Sequence, residues 1–126
     1  MLILKPDKLS VIQKQFNDRF PFLKLDFFQQ VSKSFPTNTK PISLNDNFLI
    51  QSFPDNNIRF LINEHMSVIF IEHLFLQHFG ISVQVLRKSG NTWLQVKLTN
   101  HWTLRRQNDE GEELSGLNYV KKRKID

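Results

Sequence analysis

The sequence predicts an α+β fold built on two β-α-β units, and three observations carry that expectation. Leu2-Ile-Leu-Lys5 and Ile58-Arg-Phe-Leu-Ile62 are short strand-like runs, each followed five residues later by a serine, Ser10 or Ser67. Each serine stands at the opening of a helical pattern that closes on two phenylalanines four apart, Phe16 and Phe20 or Phe75 and Phe79. A second strand-like run then follows each helix, Phe22-Leu-Lys-Leu-Asp-Phe-Phe28 or Ile81-Ser-Val-Gln-Val-Leu-Arg87. The two units span about residues 2–28 and 58–87. Their order suggests a ferredoxin-like sandwich: one antiparallel-containing sheet, two helices on one face, an added C-terminal hairpin strand and a short terminal helix.

In the first helix Leu9, Ile12, Phe16 and Phe20 recur at spacings of three and four, which makes one apolar stripe. Pro21 stops it, because a proline ring cannot continue an α-helix. The second helix repeats the stripe with Val68, Ile71, Phe75 and Phe79. Ser67 suits its N-cap, where a hydroxyl accepts from a free N–H, and Gly80 suits the left-handed position past its end. Ser10 falls at the cap of the first helix or one position inside it.

Residues 29–57 carry Pro36, Pro41 and Pro54 around one apolar run, Phe48 to Phe53, which is expected to form a short strand or to pin this connection to the core. Lys88-Ser89-Gly90-Asn91 is a turn signal between two alternating runs, residues 81–87 and 92–98, which together read as a β-hairpin with Gly90 at positive φ. Thr103 to Asn108 suggest a short helix capped by Thr103 and interrupted at Asp109-Glu-Gly111, with fraying from about Ser115. The domain is expected to cover residues 1–118, with 119–126 a flexible basic tail.

Twelve Phe against two Trp and one Tyr place the aromatic content in a core rather than on a wet binding surface. The chain has no Cys, which removes thiolate nucleophiles, disulfides and Cys-bound metals. The net charge of +5 is concentrated at one end, where Lys121, Lys122, Arg123 and Lys124 face a single acid, Asp126. Met1 to Lys5 hold too few apolar residues for a signal peptide or a membrane span, so a cytoplasmic protein without membrane contact is expected.

No pattern points to catalysis, a metal or a cofactor. His73 and His78 are five apart, and His65 precedes the helix, so the histidines do not share a face. The glycines, at positions 80, 90, 111 and 116, cannot build a phosphate-binding loop, and Asp26 lacks an acidic partner. An RNA-recognition module would need exposed aromatics on its two central strands. Leu2 to Lys5 has none, and residues 57–63 lack that module's signature.

The run from Phe79-Gly through Val83-Gln-Val-Leu-Arg-Lys-Ser-Gly-Asn-Thr-Trp93-Leu to Trp102-Thr-Leu-Arg-Arg-Gln-Asn108 resembles a family of small uncharacterised bacterial proteins over about residues 66–111. The resemblance implies a bacterial cytosolic protein and no particular activity.

The functional lead lies in a difference between the helices. Val11, Gln15 and Asn17 of the first correspond to Phe70, Leu74 and Leu76 of the second, which is therefore apolar nearly all round. So much apolar surface implies a second contact face. The preferred expectation is a non-enzymatic protein-binding or self-assembling module, with a homodimer or another protein on Phe70, Leu74 and Leu76. The alternative is a nucleic-acid binder that uses Arg87, Lys88, Trp93, Arg105, Arg106 and the basic tail. Trp102 is expected to anchor its polar connection or to meet a partner.

Overall fold

A computed structural model of the chain describes residues 1–30, 39–41 and 59–116. The run from Phe48 to Phe53 and the basic tail lie outside the described residues. Within them the chain is α+β, with three α-helices and six strands in two antiparallel sheets. In chain order these are β1 (Leu2–Leu4), α1 (Leu9–Arg19), β2 (Leu23–Gln30), β3 (Thr39–Pro41), β4 (Phe60–Ile62), α2 (Val68–Phe79), β5 (Ser82–Ser89), β6 (Thr92–Gln95) and α3 (Leu104–Ser115). A 3-10 turn at Lys97–Thr99 links β6 to α3.

The strands pair differently from the ferredoxin-like expectation. That arrangement would join all four strands of the β-α-β units in one sheet. Instead β1 and β4 form a separate two-stranded ribbon, in which Ile3 lies opposite Leu61. The second sheet runs β3-β2-β5-β6, with β2 and β5 antiparallel at its centre. Each β-α-β run thus places its first strand against the first strand of the other run, and its second against the second. The pairing matches strands of equal length: β1 and β4 are three residues long, whereas β2 and β5 are eight and sustain an extended ladder.

One core lies between the sheets and the helices. Leu9, Ile12, Phe16 and Phe20 enter it from the first helical run, and Val68, Ile71, Phe75 and Phe79 from the second. Leu23, Leu25 and Phe27 of β2 meet Val83 and Val85 of β5 on the same inner face, as strand alternation requires. Aromatic rings link the layers, with Phe27 6.2 Å from Phe75 and Phe60 4.4 Å from Phe79.

The helix ends follow from local chemistry, with two departures. Lys8 rather than Ser10 is the N-cap of α1, and it makes no side-chain cap, so Ser10 lies inside the helix. Ser67 caps α2 by accepting from the Phe70 N–H, and Gly80 closes it at φ 68°. Thr103 caps α3 by accepting from the Arg106 N–H. α3 does not stop at Asp109-Glu-Gly111 but runs to Ser115. Gly111 is retained inside it because this turn packs so tightly that a Cβ there would stand 2.8 Å from the Cβ of Phe22.

The starts of α2 and α3 complete one another. Val68 and Ile69 donate their N–H groups to the carbonyls of Trp102 and Asn100, while Leu104 and Arg105 donate to those of Met66 and Glu64. First-turn N–H groups have no partner inside their own helix, and here each helix supplies them to the segment that leads into the other.

Candidate interaction surface

α2 carries the surface of interest because its two sides are both apolar. Its inward stripe is sealed in the core, yet Phe70 is 48% exposed, Leu76 47% and Ile69 42%. On a 3.6-residue period these residues flank His73, which is also exposed. Leu74 departs from the expected set: it packs half-buried against the core at the boundary of the inward stripe. The residue that takes its place is Ile69, which the comparison of the two helices did not single out.

The 3-10 turn adjoins this face, since the carbonyl of Asn100 accepts from the Ile69 N–H and Lys97 lies close enough to Glu72 to stabilise its carboxylate. This turn presents Leu98, which is 95% exposed. An apolar residue held almost wholly in water on an ordered turn is a sequence signal that periodicity within a helix could not reveal.

The residues of the nucleic-acid alternative fall in three separate places. Arg87 is drawn inward, where its Nη1 donates to Gln107 Oε1 at 3.0 Å. Gln107 is fully buried, and its Nε2 donates to both the carbonyl and the hydroxyl of Thr99. Lys88 and Trp93 lie opposite one another on the other face of the sheet, and the Lys24 ammonium stands 5.9 Å from the Trp93 ring. Arg105 and Arg106 open α3. Arg105 approaches Glu64 at 4.0 Å, and Arg106 stacks 3.7 Å over Trp102.

A cleft of about 250 Å³ lies between α2, β5 and the end of β6. Val68, Val85 and Val96, all buried, form its floor, and Glu72, Gln84, Gln95, Lys97 and Asn100 form its walls. Burial pushes the Glu72 carboxyl above the usual carboxylate range, against the opposing pull of His73 and Lys97. Gln95 Nε2 donates to Gln84 Oε1 at 3.1 Å, which fixes one wall.

The matching place on α1 is closed. Lys88 N–H donates to the Phe22 carbonyl, so antiparallel alternation turns the carbonyls of Leu23 and Leu25 away from β5. Asn17 and Gln13 donate to these two carbonyls at 2.9 and 2.7 Å. Aligning Phe16 with Phe75 puts Glu72 at the position of Gln13 and Leu76 at that of Asn17. An ionised carboxylate and an alkyl group cannot donate, so this closure is not repeated on α2.

Among the described residues no group of three His, Asp or Glu side chains could hold a metal ion. None of the described helices is long and apolar enough to cross a membrane. Comparison of the chain with protein-family models, curated proteins and solved structures finds no match in any of the three.

Proposed function

We propose that the chain is a non-enzymatic protein-interaction module that self-associates through the outer face of α2. The observation that carries this reading is the exposure of Ile69, Phe70 and Leu76 on a helix whose other side already fills the core. Leu98, on the turn that precedes Asn100, is a further exposed apolar residue near the start of this helix. Clustered large apolar side chains of this kind favour a protein partner, since their removal from water is worth about 25 cal/mol per Å².

The two β-α-β runs support self-association in a second way. We read them as copies of one unit, which already associate inside the chain by antiparallel pairing of equivalent strands. The copies share their core stripe and differ on the outer helical face, where Ser10, Val11 and Asn17 of the first correspond to the larger apolar Ile69, Phe70 and Leu76 of the second.

Sedimentation velocity over a dilution series tests the proposal. The expected result is a concentration-dependent dimer in the wild type and a monomer in Phe70→Ser with unchanged circular dichroism. A wild type that stays monomeric at the highest concentration reached would remove it.

A single observation favours a second reading, binding of single-stranded nucleic acid on the outer face of the sheet: Trp93 lies opposite Lys88, and the Lys24 ammonium stands 5.9 Å from its ring. Stacking of a base on Trp93 would be worth about 1–3 kcal/mol. Binding to an oligonucleotide that falls with salt and is lost in Trp93→Ala is its expected outcome. Equal binding by that variant contradicts it.

A further inference from the structure

We infer that the cleft between α2, β5 and the end of β6 binds a small apolar amino acid in its zwitterionic form. Its construction supplies one recognition element for each part of such a ligand. The buried side chains of Val68, Val85 and Val96 offer an apolar floor. The Glu72 carboxylate offers an acceptor for an ammonium group, and the Lys97 ammonium a donor for a carboxylate.

These two charged groups influence one another, yet no salt bridge within 4.0 Å joins them. A zwitterion placed between them would satisfy both and leave net charge unchanged. Gln84 and Gln95 border the cleft and hold each other through one hydrogen bond, which fixes its rim.

Size narrows the class further. The cleft of about 250 Å³ is just below the range of about 300–1,000 Å³ typical of pockets for drug-sized ligands, so the occupant is of amino-acid size. The cleft also has a local cause. The β5·β6 ladder ends at the pair Leu86 and Gln95, after which the chain turns into the 3-10 segment and opens space beside Val85. On the other helix, Gln13 and Asn17 close the corresponding place by bonding to the strand.

The half-buried carboxylate is the feature that a mere surface indentation would lack. Desolvation makes an unpaired anion costly, and a ligand ammonium offsets that cost on binding. This site shares no exposed apolar residue with the self-association face, so the two readings stand or fall separately.

Isothermal titration of the full chain with L-leucine, N-acetyl-L-leucine and L-leucinamide tests the inference. The expected result is saturable binding of leucine that weakens by about tenfold or more when either charge is blocked, the loss of one charge-assisted hydrogen bond. Glu72→Gln should reproduce the loss caused by acetylation, and Lys97→Met that caused by amidation, with thermal melting as the check on folding. Absence of leucine binding, or equal binding of all three compounds, would overturn it. The analogue series uses the unaltered protein, so its outcome does not depend on either variant being folded.

Discussion

Ser67 and Thr103 face each other across an isolated antiparallel bridge, and each caps the helix that follows it. The flanking N–H groups cross over, so the first turns of α2 and α3 are fixed by one shared junction. Ser67→Ala and Thr103→Ala are each expected to destabilise the protein by about 1 kcal/mol, the usual loss for an N-cap hydroxyl. Because the two sites share a bridge, the double variant should depart from additivity. Urea denaturation of the two single variants and the double variant reads both effects.

Gln107 is the one polar side chain fully buried among the described residues, and it joins Arg87 of β5 to Thr99 of the 3-10 turn. Gln107→Leu keeps much of the volume but removes the acceptor for a guanidinium and the donor for a carbonyl. A loss of about 2–3 kcal/mol is expected, because the stranded partners retain their desolvation cost. Chemical denaturation measures it.

Gly111→Ala should destabilise α3 although alanine is the better helix former. Propensity favours alanine by about 1 kcal/mol. The added Cβ, however, would lie 2.8 Å from Phe22 Cβ and 3.1 Å from the Phe22 carbonyl oxygen, neither of which can rotate away. Overpacking of this kind costs about 1–3 kcal/mol. A melting temperature below that of the wild type is the expected outcome.

Glu72 should impose a pH dependence of definite sign. Its folded-state pKa is raised by burial, so the native state binds more protons than the unfolded chain between the ordinary carboxylate pKa and the raised value. Its contribution to stability therefore falls as pH rises through that window. Glu72→Gln is expected to gain stability above the window and to show no gain below it. Thermal melts of both proteins from acid to neutral pH provide the comparison.

Much of the local structure was legible because it depends on neighbours in sequence. The stripes ending at Phe20 and Phe79, the Ser67 cap, the left-handed Gly80 and the turn at Gly90, where φ is 62°, all follow from spacing and backbone chemistry. Strand partners were not legible, since alternation states which face is buried but not which strand lies alongside. The separation of β1 and β4 from the larger sheet therefore came only from the structure.

The candidate surface was legible in part for the same reason. Comparing the helices picks out Phe70 and Leu76, but Leu74 sits near enough to the inward stripe to pack against the core, and Leu98 lies in a turn with no periodicity. Arg87 looked like a surface charge, yet a buried glutamine beneath α3 draws it inward. Glu72 gained significance only beside Lys97, which is distant in sequence.

Self-association through α2 is read most directly by solvent paramagnetic relaxation at the side chains of Ile69, Phe70 and Leu76, recorded by NMR at low and high protein concentration. Self-association through α2 predicts strong relaxation in dilute protein and protection of all three as concentration rises, while Ile3 and Leu61 on the β1·β4 ribbon stay exposed. Equal relaxation of the three α2 residues at both concentrations would contradict it.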